Sequence, residues 1–214
     1  APGGLDVSEA GFTLAYFTEA GFNPYSCLNI NNRMIFSLLY QSLFVTDSTY
    51  RVEPQLCKSF TVTEDLMTYV FTLEQATFPD GTEINAMDVV ASLETAQDSD
   101  YYEGRFTYIQ SISKEEGNRV RITTEIPMEN LPLLLDMPIL KASQVDADFP
   151  IGTGPYALEH GVTGRFLRLR QDWWCKANLP VTAERIPLVA AHSAKDIRDK
   201  FELGSVGVVC ANPA

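Results

Sequence analysis

The sequence predicts an α/β fold that carries an α+β subdomain, and three observations predict it. Near the C-terminus a strand over residues 186–190, a helix capped by Ser193 and a second strand over residues 206–210 follow one another, the order that builds an α/β sheet. In the middle of the chain, Tyr69, Phe71 and Leu73, and later Val120, Ile122, Thr124 and Ile126, alternate with residues of the opposite face, so two half-buried strands flank a helix. Between these regions stand Gly152, Thr153, Gly154 and Pro155, a backbone crossing point. There glycine opens conformations closed to other residues, and proline fixes φ and removes a donor.

Taken in order, residues 12–17 are apolar, aromatic and bounded by glycines, which reads as a buried strand. Residues 23–32 form a polar loop, with Asn31 or Asn32 placed to cap the next helix. In that helix Met34, Ile35, Leu38, Leu39 and Ser42 recur at helical spacing and mark the buried face. Phe44 and Val45 start a short strand, Asp47 opens a turn, and residues 56–60 and 68–73 read as further strands. Phe78, Pro79, Asp80 and Gly81 make a turn, after which Asn85 caps a helix with Asp88 at the capping-box position and Val89, Val90 and Leu93 on its buried face. Glu116, Gly117 and Asn118 turn the chain into the strand at Val120, which Pro127 ends. A short apolar helix over 131–135 follows. Past the glycine crossing, residues 156–158 and 166–170 pair as a hairpin across residues 161–164. Ser193 and Asp196 cap the last helix, and Gly204 stops it.

Composition narrows the function. The 214 residues are 45% hydrophobic and 21% charged, a folded chain with material for one large or two small domains. A net charge of −12 repels phosphate backbones and anionic headgroups, which argues against nucleic acid as a partner. Cys27, Cys57, Cys175 and Cys210 contain no Cys-x-x-Cys, so no zinc site or redox pair is written. They read as small core residues, a disulfide being the alternative. No apolar run is long enough to span a membrane, and no export signal opens the chain, so any such segment is taken as removed. His160 and His192, the only histidines, read as surface residues. The glycine crossing lacks the Gly-Lys-Ser/Thr of a phosphate loop, no serine-hydrolase elbow is present, and turn and cap duties account for Asp80 and Asp88. No enzyme, cofactor or metal is expected.

Several motifs occur in a telling order. They are Phe78 to Gly81 followed by the capped helix with Asp88, Val89, Val90 and Ser92; Pro150, Ile151, Gly152, Thr153, Gly154, Pro155 and Tyr156; Gln171, Asp172, Trp173 and Trp174; and the stretch from Phe201 to Val209. Together they resemble the solute-binding proteins of ABC importers that carry oligopeptides, dipeptides and nickel chelates, solute-binding family five. Two departures stand out. Gly204, Ser205, Val206 and Gly207 replace the family's Gly-Glu-Ile/Val-Asp, and Gln41 with Ser42 stands where members often have Glu-Gly. The resemblance implies a type II periplasmic-binding-protein lobe: residues 1–214 as lobe I, residues 44–145 as an inserted sheet-and-helix subdomain, and a second lobe absent from this chain. It further implies a monomeric extracytoplasmic receptor, periplasmic or a cell-surface lipoprotein. That receptor captures a peptide-like solute between its lobes and delivers it to ABC permease subunits in the membrane. The alternative is a free-standing interaction domain that binds a protein through the same face.

By the same resemblance residues 23–32 border the cleft, where backbone groups pair with an extended peptide. Cys27, Leu28, Asn29 and Asn32 are the first ligand candidates, with a plain capping loop as the other reading. Tyr102 and Tyr108 come second, each offering a ring and one directed hydroxyl, or else core packing. Trp173 and Trp174 either stack on a ligand or close the hairpin against the sheet.

Overall fold

The computed structural model describes residues 13–47, 49–175 and 183–204. Strand β1 (Leu14–Phe17) leads through the loop of residues 21–29 into helix α1 (Ile30–Leu39). Strands β2 (Phe44–Thr46) and β3 (Val52–Pro54) make a small hairpin, and β4 (Cys57–Val62) and β5 (Thr68–Leu73) a larger one. Helix α2 (Ala86–Gln97) precedes β6 (Ile109–Glu115) and β7 (Arg119–Thr124). Then β8 (Tyr156–Gly161), β9 (Gly164–Leu169), β10 (Arg185–Ala191) and α3 (Ala194–Glu202) complete the described order.

Two four-stranded sheets result. One is antiparallel, in the order β4-β5-β7-β6, with α2 laid on its β6–β7 side. The other is mixed, in the order β1-β10-β9-β8. Here β1 runs parallel to β10, with Leu14 opposite Leu188, while β10–β9 and β9–β8 are antiparallel. The alternation in β1 splits its side chains between two layers. Tyr16 joins the main core with Phe22 and Phe36, and Ala15 packs with Ala191 and Ile197 beneath α3. The mixed sheet thus packs on the main core with one face, and α3 covers the other along β1 and β10. One continuous set of buried side chains runs from Tyr69, Phe71 and Ile122 in the antiparallel sheet to Tyr156, Leu167 and Ile186 in the mixed one.

Local chemistry explains the elements. In β5, Tyr69, Phe71 and Leu73 are buried and their neighbours half-buried, the period-two pattern of a sheet with one covered face. The capping box of α2 forms as the sequence predicts. Asn85 Oδ1 accepts from the Met87 amide at 2.8 Å, and the Asn85 amide donates to Asp88 Oδ2 at 2.9 Å. Asp88 Oδ1 also accepts from the Ala142 amide at 2.8 Å, so the cap tethers α2 to the segment before the glycine crossing. Gly81 takes φ +82° and its amide donates to the Phe78 carbonyl, closing the turn.

Several sequence expectations need correction. Asn29, not Asn31 or Asn32, caps α1. Met34 is 48% exposed, and Ser42 is buried beyond the helix end rather than within it. The strand expected over 56–60 runs from Cys57 to Val62, and β7 ends at Thr124, leaving Ile126 exposed. Asp196 accepts from the His192 amide, one residue before the Ser193 cap, so that box is displaced by one position. The Trp173 indole bonds to the glycine crossing, donating to the Thr153 carbonyl, and the Trp174 indole bonds just past α1, donating to Gln41 Oε1, each at 2.8 Å. The final strand expected over 206–210 lies outside the described residues.

The crossing also owes its glycines to something other than φ. Neither Gly152 nor Gly154 takes a positive φ. A β-carbon on Gly152 would lie 2.4 Å from the Tyr40 ring, and one on Gly154 2.4 Å from the Leu39 carbonyl carbon. The requirement is close approach to the end of α1. Buried Arg170 holds the same place from the other side. Its guanidinium donates to the Thr77 carbonyl at 2.8 Å and the Gly154 carbonyl at 3.2 Å, joining the turn before α2 to the crossing.

Candidate functional site

The loop that delivers the chain to α1 is held from beneath. Asn23 Nδ2 donates to the carbonyls of Val145 (2.7 Å) and Ala147 (2.9 Å), and its Oδ1 accepts from the Tyr25 amide. The Tyr25 hydroxyl donates to the Pro138 carbonyl, and Ser99 donates to the Tyr25 carbonyl. Asn29 then starts the helix by accepting from the amides of Asn31 and Asn32 at 3.1 and 3.2 Å.

Above this base opens a concavity of about 580 Å³ between α1, the Tyr101–Tyr102 pair, the Asp136–Pro138 segment and the β2–β3 hairpin. Its apolar wall is unusual in being exposed: Leu28 at 66%, Met34 at 48%, with Ile30 and Tyr101 nearly alike. Ile30, Met34 and Ser37 fall at i, i+4 and i+7, one face of α1, while Ile35, Leu38 and Leu39 fill the core behind them.

Arg33 organises the polar part. Nη1 donates to the carbonyls of Pro24 and Cys27, both at 2.9 Å, and Nη2 donates to the Tyr102 hydroxyl at 2.9 Å. The guanidinium lies 3.6 Å from the centre of the Tyr101 ring, a cation–π contact. On the opposite side Arg105 Nη2 pairs with Asp136 Oδ2 at 3.1 Å, and Asp136 Oδ1 is buried without a partner among the described residues. Burial pushes the Asp136 carboxyl above its ordinary value, against the pull of Arg105. Burial likewise raises the Tyr102 hydroxyl and the Cys27 thiol, so both stay neutral at pH 7.

The six residues singled out in the sequence divide. Leu28 and Tyr102 line the concavity together. Cys27 is buried beneath it and contributes its carbonyl to Arg33. Asn29 is occupied as the helix cap. Asn32 is fully buried and faces inward, accepting from the Phe17 amide at 2.7 Å and donating to the carbonyls of Phe17 and Gly21. Tyr108 is exposed but does not line this concavity. Sequence reasoning missed Arg33, Tyr101 and Asp136, and it placed Met34 on the buried face of the helix rather than on the concavity wall. The one available signal was an Ile30–Met34 pair lying off the Ile35–Leu38–Leu39 stripe. Among the described residues no three His, Cys, Asp or Glu side chains gather as a metal site, and His160 and His192 are both exposed.

Comparison with known proteins bears on the family and the fold. The family model for bacterial extracellular solute-binding proteins, family 5 Middle, matches residues 51–214. The glutathione-binding protein GsiB of Salmonella typhi is 30% identical over 162 residues, which is 70% of this chain and 32% of that protein. The chain thus spans about a third of the length of such relatives. Among solved structures, the binding protein MoaA of A. tumefacien R10, in complex with mannopinic acid, superposes with a TM-score of 0.75 at 21% identity. It covers 92% of this chain and 44% of that one. The periplasmic binding protein DppA of Helicobacter pylori, in complex with the peptide STSA, gives 0.67 at 20% identity, over 91% and 45%. At these identities the structural likeness speaks for the fold, and the family-model match over three-quarters of the sequence decides the membership: this chain belongs to the bacterial extracellular solute-binding proteins of family 5.

Proposed function

We propose that the chain is lobe I of a two-lobed receptor, with residues 44–145 as its inserted subdomain. The receptor captures a peptide-like solute between its lobes and delivers it to the permease of an ABC importer outside the cytoplasm. The observation that carries this reading is the concavity beside α1, whose wall exposes Leu28, Ile30, Met34 and Tyr101 where a self-contained domain would bury them. Leu28 and Tyr102 belong to the ligand wall, with Arg33 between them. The names of related proteins fit a small-solute class: GsiB is named for glutathione, and DppA was solved with a peptide.

Hinge closure of the second lobe supplies the other half of the desolvated site. The full-length polypeptide containing this chain is therefore expected to carry small solutes through purification, identified by mass spectrometry. It is also expected to bind short peptides in calorimetry, while residues 1–214 alone bind them weakly or not at all. Tight peptide binding by the isolated chain contradicts the two-lobed reading. A reading frame with no second lobe, together with capture of a protein on the concave face, favours the free-standing interaction domain.

A further inference from the structure

We propose that Arg33 receives a carboxylate of the bound solute, so that the concavity selects carboxylate-bearing solutes over their uncharged amides; the proposal rests on the receptor reading above. Among the described residues two charged side chains line the concavity, and they differ in one respect. Asp136 is balanced by Arg105 at 3.1 Å, whereas Arg33 has no carboxylate within ion-pair distance among the described residues. The three hydrogen bonds of the Arg33 guanidinium among the described residues go to neutral acceptors, two backbone carbonyls and the Tyr102 hydroxyl. A guanidinium has five N–H donors. Nε–H and one hydrogen of Nη2 are left with no acceptor among the described residues.

This local surplus of positive charge stands in a chain of net charge −12, so it does not reflect a basic surface. Closure of a second lobe would take the charge out of water, and a buried guanidinium without a counter-charge is strongly unfavourable. A solute carboxylate removes that penalty. One surplus charge and two unused donors match a carboxylate's single charge and two oxygens. The side chain is already fixed by its three bonds and by the Tyr101 ring 3.6 Å below it, so little freedom is lost on binding. Leu28, Ile30 and Met34 give the group next to the carboxylate an apolar surface.

The test uses the full-length polypeptide and calorimetry with a panel of tripeptides, each paired with its C-terminal carboxamide. For wild type we expect the carboxylate member to bind about tenfold tighter or more, the size of a charge-assisted hydrogen bond. Arg33→Gln is expected to bring the pair within about twofold of each other while amide binding persists. If Arg33→Gln does not fold, as judged by circular dichroism, the wild-type pairs still decide. Equal affinities for carboxylate and carboxamide overturn the proposal and leave the receptor reading intact, as does discrimination that survives in folded Arg33→Gln. No binding by any member of the panel removes the peptide-like solute of the receptor reading and this proposal with it.

Discussion

Gly154 lies against the end of α1: its amide donates to the Leu39 carbonyl at 3.0 Å, and an added β-carbon would sit 2.4 Å from the Leu39 carbonyl carbon and 2.6 Å from the Leu38 oxygen. The obstacles are backbone atoms of a helix packed in the core, so they have little room to move aside. Gly154→Ala is therefore expected to destabilise the protein by about 2–3 kcal/mol in urea unfolding, the scale of core overpacking. A change below about 0.5 kcal/mol would mean that the crossing relaxes more easily than its packing suggests.

This contact also shows what the sequence made legible. Gly152, Thr153 and Gly154 marked a crossing point correctly, but the reason for glycine is invisible without the partner, since Leu39 and Tyr40 lie more than a hundred residues earlier. Short-range signals read well: the Asn85–Asp88 box, the alternation in β5 and the β8–β9 hairpin each depend on residues a few positions apart. The parallel pairing of Leu14 with Leu188 left no such local trace. The site suffered most. Three asparagines at 29, 31 and 32 share one capping chemistry, and only the path of the preceding loop selects Asn29. Arg33 reads as an ordinary surface helix residue until Tyr101 and Tyr102 are brought beneath it by the fold.

Asn32 offers a direct separation of structure from binding. Its amide satisfies the Phe17 amide and carbonyl and the Gly21 carbonyl in a fully buried position. Removing it strands those three groups, at about 1–3 kcal/mol for a buried group left unpaired. Asn32→Ala is expected to lower stability by about 2–4 kcal/mol in urea unfolding. A variant that keeps wild-type stability yet loses solute binding would instead put Asn32 at the ligand.

Two carboxyls are expected to titrate in opposite directions from the ordinary 3.8. Hydrogen bonds from Lys141 and Thr82 hold Asp80 down to about 2, so its contribution to stability is complete above 3.8 and disappears as pH falls toward 2. Asp136 is raised by burial, so the folded state keeps its proton longer. Stability then decreases as pH rises from 3.8 through that higher value. Both groups are partly exposed, so the effects on stability are small and salt-sensitive. Carbon-detected carboxyl titrations should place Asp80 below and Asp136 above the ordinary value, and Asp80→Asn should flatten the acid limb of the Tm profile. An Asp136 that titrates below 3.8 would show a site more open to water than its packing indicates.

The exposed wall of α1 should behave differently from the face behind it. Leu38 is buried in the core, and Leu38→Ala is expected to cost about 2–4 kcal/mol, as large-to-small core changes do. Leu28 and Met34 project into the concavity with roughly half or more of their surface in water, so Leu28→Ala and Met34→Ala should each change stability by less than about 0.5 kcal/mol. In the full-length polypeptide the same two substitutions should weaken solute binding, because each removes apolar area that closure would bury, at about 25 cal/mol per Å². Chemical unfolding and calorimetry on the same preparations separate the two effects. If either substitution destabilises the fold by more than about 1 kcal/mol and leaves affinity unchanged, that side chain supports the loop rather than the ligand, and the wall begins further along α1.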